Sequence, residues 1–332
     1  MTKISRSTLL KTCGALGAAV LLACAGAAAQ AQTVLKWAHV YEVGEAYHKQ
    51  ALWAAEEIKK RSNGRYVIEV FPASQLGKET DINQGLTLGT VDIIYTGMAF
   101  AGRTHPPLSI ASGPFMFRDL KHWQAFRESN VFKDLAKNYS AKSGGHQVVG
   151  YTYYGQRHLT ANKLVQKPED MKGMKLRVPD APLFMMFPKA VGANPTPIAF
   201  AEVYLALQNG TVDAQENPLP TIDAKKFYEV QKYIMLTGHI TESIVTIVSN
   251  SSWGKLSEPD RKLFRDVLWE ASTRASKDIV DAEADLVSTF EKRGTSVVKV
   301  DRGPFMQAVQ KAVTAPDAPW SKALYEQVQA LK

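Results

Sequence analysis

Cysteine is nearly absent: the 332-residue chain has two, Cys13 and Cys24, and both fall within its first 31 residues. From Gln32 onward there are none, which excludes disulfides, thiolate chemistry and cysteine-ligated metal from that part of the chain. Without such staples the protein must rest on its core, and about 300 residues make two domains of ordinary size. After residue 31 the sequence lacks a phosphate-cradling glycine loop and a Gly-x-Ser-x-Gly elbow. Its seven histidines are scattered, and no His-Glu-x-x-His arrangement occurs. Glu45 and His48 stand three apart, a spacing that fits a solvated helix face better than a metal site. Carboxylate pairs say nothing in a chain with 32 acids. Repeats, low-complexity tracts and flexible linkers are missing too, which disfavours a structural or adhesion module.

An excess of one charge is also slight. The first 31 residues read as an address: Lys3, Arg6 and Lys11 precede the apolar run Leu16–Ala25, which is too short to span a bilayer. Ala29-Gln30-Ala31 fits a cleavage site, so the mature chain is expected to start at Gln32 in the periplasm. Leu21-Leu22-Ala23-Cys24 offers a rival reading, a lipoprotein anchor at Cys24. Without the address the formal net charge of +8 falls by three, to +5. That suits an anionic solute and falls short of the clustered basic faces of a nucleic-acid binder.

The rest alternates strand and helix signals, which predicts an α/β fold. Strands are expected at 34–40, 66–71, 91–95 and 147–154. Helices are expected around Ala51, Ala54, Ala55 and Ile58, at about 78–88, and at about 121–140. Loops at the carboxyl ends of such strands line the ligand crevice of open α/β sheets. This places His39, Tyr41, Glu42, Glu79 and Tyr95 on one rim, although each also reads as an ordinary loop residue. Tyr154 offers a ring face, with core packing as the alternative. Phe200, Val203, Tyr204 and Leu207 repeat as a helix face, and Phe200 at its start would floor a pocket. A short strand at 212–215 presents Gln215, Glu216 and Asn217 at its end, and another strand is expected at 240–249. From Ser257 to Gly294 a helix of roughly 36 residues would reach about 54 Å, enough to lie along two domains. Its stripe runs through Leu263, Val267, Ala271, Ala275, Ile279, Ala282, Leu286 and Phe290. Phe305, Val309 and Val313 in the tail are expected to pack on the second domain.

The stretch from Gly155 to Pro220 carries the chemistry. Arg177 follows the alternating Met174 and Leu176, and Pro179 ends that strand. An arginine beside a buried strand needs an anion, and its planar fork matches a carboxylate. Chemistry alone leaves a local Asp or Glu as the partner just as open.

The motifs Gly155-Gln156-Arg157, Leu176-Arg177-Val178-Pro179, Gln215-Glu216-Asn217-Pro218 and Pro72-Ala73-Ser74-Gln75-Leu76-Gly77 resemble one family. It comprises the solute-binding proteins of tripartite ATP-independent periplasmic (TRAP) transporters, of the dicarboxylate- and sialate-binding type, and the likeness covers the whole mature chain. It implies a two-domain periplasmic binding protein fold with crossover strands and one long domain-spanning helix. Domain I would comprise 32–154 and 240–275, and domain II 155–239 and 276–332. It further implies that Arg177 clamps a ligand carboxylate, Arg157 supports it and Asn217 contacts it. The implied protein is a monomer without cofactor or metal that delivers an organic acid to membrane permease subunits. Where sialate-binding relatives carry acids and amides, this chain has Val40 and Gly97, with Glu79 alone keeping an acid. The 39–45 and 153–158 segments resemble the sugar-acid (uronate) subgroup, so D-glucuronate or D-galacturonate is expected. A C4-dicarboxylate or aromatic carboxylate is the alternative, and an enzyme acting on sugar acids is the reading from another class.

Overall fold

The computed structural model describes residues 32–332, so the expected address and Cys24 lie outside the described residues. Val34–Lys332 form one compact unit. One nine-stranded mixed sheet runs through it. Its strands are β1 (Thr33–Ala38), β2 (Tyr66–Phe71), β3 (Ile93–Gly97), β4 (Gln147–Ala161), β5 (Lys175–Val178), β6 (Asn194–Pro197), β7 (Ala214–Pro218), β8 (Tyr233–Val248) and β9 (Ser296–Lys299). They lie in the order β2-β1-β3-β8-β4-β7-β5-β6, with β9 beside β8. β6 is an edge strand, which is why it tolerates Pro195 and Pro197.

Two long antiparallel strands tie the halves of this sheet together. β4 has 15 residues and β8 has 16. The upper part of β8 pairs with β3, the lower part of β4 pairs with β7, and the two pair with each other throughout. The strands expected at 147–154 and 240–249 are therefore only the first and last halves of longer ones. Their continuations are Gly155–Ala161, which carries Gln156, Arg157 and His158, and Tyr233–His239, which stays largely apolar. Gly155 is the turning point. Its φ is +118°, and a Cβ there would sit 2.7 Å from both Glu283 Oε1 and Pro218 Cβ. A side chain has no room, and the strand bulges between Tyr153 and Gly155.

Among the described residues seven helices have eight residues or more: α1 (Ala46–Arg61), α2 (Glu79–Leu88), α3 (Leu120–Glu128), α4 (Asn130–Lys142), α5 (Glu258–Lys292), α6 (Arg302–Val313) and α7 (Lys322–Gln329). The single helix expected at 121–140 is two. Ser129 ends α3, and its hydroxyl accepts a bond from Phe132 N to start α4. α5 has 35 residues, about 52 Å at 1.5 Å each, and Ser257 caps it as the sequence suggested. Its buried stripe begins at Phe264, not Leu263, and continues through Val267, Ala271, Ala275 and Ile279. Ala282 and Leu286 are half-buried, and Phe290 is buried again, now in a second cluster with Val203, Leu207 and Phe227. The tail divides. Phe305 of α6 packs near Phe187 at 6.3 Å between centroids. α7 instead meets residues of the first half of the chain, where Gln329 Nε2 donates to Met116 O at 2.8 Å and Arg118 Nη1 donates to Gln329 O at 2.8 Å.

Candidate functional site

Side chains from both halves of the sheet surround one cavity with about 560 Å³ of atom-free space. Tyr41 follows β1, Glu79 opens α2, and Gly97 ends β3. Tyr154 and Arg157 come from β4, Arg177 from β5, Asn217 from β7, and Glu242 and Ile244 from β8. Phe184 and Phe200 add aromatic faces.

The two arginines differ in what already holds them. Arg157 and Glu216, both buried, form a two-point ion pair: Nε donates to Oε2 and Nη2 donates to Oε1, the latter at 2.8 Å. Burial opposes the Glu216 charge, yet Arg157 and His239 hold its carboxyl down at about 2. Arg157 also lies over Phe184, 5.0 Å from the ring centroid. Arg177 is 1% exposed and has no carboxylate in hydrogen-bonding range among the described residues. Its Nε and Nη2 both donate to Ile198 O, at 3.0 and 2.6 Å, and Nη1 has no partner there. Burial pushes the guanidinium down to about 10. The ordinary ion-pair reading thus describes Arg157, and Arg177 is the guanidinium left in want of an anion.

Asn217 accepts a 3.3 Å bond from Arg157 Nη2 and donates to Gln215 Oε1 at 2.6 Å. These residues lie within β7, not at its end, because pairing with β4 extends the strand to Pro218. Tyr154 is buried, with its hydroxyl 3.0 Å from Thr221 Oγ1. Glu79 Oε1 accepts from Gly97 N at 2.7 Å and Thr96 Oγ1 at 2.9 Å, and burial raises its pKa. Phe200 is half-buried beneath Lys225, whose Nζ is 5.2 Å from the ring centroid.

Three residues expected on the rim do not line the cavity. His39 is buried behind Tyr41, its Nε2 3.2 Å from His48 Nδ1, and burial lowers its pKa to about 3. Tyr95 is buried in the same aromatic cluster, 5.8 Å from His39 and 4.9 Å from Trp37. Glu42 accepts a 2.8 Å bond from Lys225. Tyr41 packs against both His39 and Tyr95 and itself lines the cavity in their place. Glu242 and Phe184 went unnoticed in the sequence. A lone acid inside an Ile-, Val- and Thr-rich strand was the available signal for Glu242.

Among the described residues no group of three or more His, Cys, Asp or Glu side chains is placed to hold a metal ion. No helix among them is long and apolar enough to cross a membrane.

Comparison with known proteins agrees with this geometry. A family model described as bacterial extracellular solute-binding protein, family 7, matches residues 37–316. The sialic acid-binding periplasmic protein of Vibrio cholerae is 35% identical over 301 residues, covering 91% of this chain and 94% of its own. A TRAP periplasmic solute-binding protein from a Polaromonas species, solved with D-erythronate bound, is 35% identical with a TM-score of 0.87, covering 91% of this chain and 99% of that one. One from Citrobacter koseri, solved with D-glucuronate, is 26% identical with a TM-score of 0.84, covering 91% and 100%. These matches lead to one assignment: the chain belongs to the family 7 solute-binding proteins of TRAP transporters, with their two-domain α/β fold.

Proposed function

We propose that this protein captures a sugar acid, a hexuronate such as D-glucuronate or D-galacturonate, and delivers it to the permease subunits of a TRAP transporter without turning it over. The observation that carries this reading is the Arg177 guanidinium, buried on the cavity wall with Nη1 unpartnered among the described residues. A carboxylate supplies the missing charge and acceptor together. Glu79 and Glu242 on the same wall favour hydroxyls over a second carboxylate, which speaks against a C4-dicarboxylate. Val40 and Gly97 give their part of the wall no polar side chain. A thermal-shift panel of uronates, aldonates, sialate, C4-dicarboxylates and aromatic acids, followed by calorimetry, tests the reading. A hexuronate is expected to raise the melting temperature most. A dicarboxylate or an aromatic acid binding more tightly than every sugar acid overturns it.

We further infer export, motivated by the Lys3–Ala31 segment, with the mature protein in the periplasm. The mass of the exported chain should correspond to a start at Gln32. An intact residue 1, or a lipid on Cys24, contradicts the cleavage reading.

A further inference from the structure

Glu242 stands on β8 opposite Gly155, at the turning point of the crossover. Glu242 and Ile244, two apart on one strand, face the same cavity. The side chain is 1% exposed. One oxygen is fully used: Oε1 accepts from Ser243 N at 2.9 Å and from the Ser112 hydroxyl. The other, Oε2, has no partner among the described residues. An unpaired carboxyl oxygen inside a folded protein is costly, and its position on a cavity wall shows where the missing partner would come from.

We propose that Glu242 is a specificity residue that reads one hydroxyl of the bound acid through Oε2, so that the ligand is a hydroxy acid carrying that group. The proposal rests on the sugar-acid reading above and goes beyond it by naming the residue that recognises the hydroxyl pattern. Arg177 handles the carboxylate and leaves Glu242 free for this task. A hydroxyl fits because it satisfies Glu242 in either protonation state. It donates to the carboxylate and accepts from the neutral acid. Burial lifts the Glu242 carboxyl to about 7, against the pull of Arg157, so both states matter near neutral pH. A methylene at that place leaves Oε2 dry and unpaired, and a second carboxylate meets a like charge with Glu216 also near.

The test is a cycle of affinities, measured by calorimetry, with D-glucuronate, D-galacturonate, D-erythronate and the monodeoxy analogues of each. Wild type, Glu242→Ala and the near-isosteric Glu242→Gln are compared, each first shown to melt cooperatively. With wild type, loss of one particular hydroxyl should weaken binding roughly tenfold or more. With Glu242→Ala that same loss should cost almost nothing, while the other hydroxyls keep their effects. Glu242→Gln, which still carries an acceptor and a donor, should retain part of the discrimination. Losses that add at every hydroxyl position, or unchanged affinity in Glu242→Ala, overturn the assignment and leave the sugar-acid reading standing. A wild-type protein that binds none of these acids overturns both.

Discussion

Arg157 and Arg177 have the same side chain, the same burial and a place on the same cavity wall, yet the structure gives them opposite tasks. Arg157 is matched to Glu216, so deleting it leaves that buried carboxylate with His239 alone, 3.3 Å away. Arg157→Ala should therefore destabilise the fold by about 3–5 kcal/mol, read as a large fall in the denaturation midpoint. Arg177 has only the Ile198 carbonyl as a hydrogen-bond acceptor, and its removal relieves a buried charge that Glu216 and Glu79 offset only from a distance. Arg177→Ala should stay within about 1 kcal/mol of wild-type stability but lose about 3–5 kcal/mol of ligand affinity. Arg177→Lys should recover part of that loss, since a point charge cannot reproduce the fork. Equal melting temperatures for both alanine variants, or Arg177→Ala binding within about threefold of wild type, would contradict this division of labour. The motifs in the sequence singled out both arginines. They could not say which was spoken for, because the ion pair is made across β4 and β7 between residues 59 apart.

The long elements β4, β8 and α5 meet at one place. Glu283 of α5 accepts from Gln156 N at 2.8 Å and from the Tyr153 hydroxyl at 2.9 Å, clasping the bulge on β4. Burial raises this half-buried carboxyl to about 7. Gly155 makes the clasp feasible by letting strand, helix and Pro218 approach closely. Gly155→Ala must both adopt a positive φ and push Glu283 or Pro218 aside. Where glycine-to-alanine changes at permissive sites gain roughly 0.4–1 kcal/mol, this one should instead destabilise by more than that, and chemical denaturation measures it. A variant as stable as wild type would show that the junction yields easily. The long helix was legible in its cap and stripe. The true length of β4 and β8 was not, because their middle residues serve the cavity and break the apolar pattern.

Across the whole molecule, the cavity draws its walls from both halves of the sheet, and several polar contacts cross it. Lys225 bonds to Glu42 and Thr221 to Glu45, each at 2.8 Å, and Arg103 lies 3.5 Å from Asp180. We infer that residues 32–154 and 240–275 close against 155–239 and 276–321, with α7 moving with the former through its bonds to Met116 and Arg118. Ligand should then compact the protein in solution scattering. Identical scattering curves with and without saturating D-glucuronate or D-galacturonate count against closure.

What the sequence determined by itself was local. Hydrophobic periodicity set most strands and helices, Ser257 and Gly294 bounded the long helix, and short motifs singled out Arg157 and Arg177. These follow from neighbours a few residues away, whose spacing the chain displays directly. The tertiary structure decided which guanidinium is left without an anion, which carboxyl oxygen of Glu242 is left unpaired, and that His39 and Tyr95 stand behind Tyr41. Each of these depends on desolvation and on partners brought from distant strands. Charge balance inside a protein belongs to the packed assembly, and no single segment carries it.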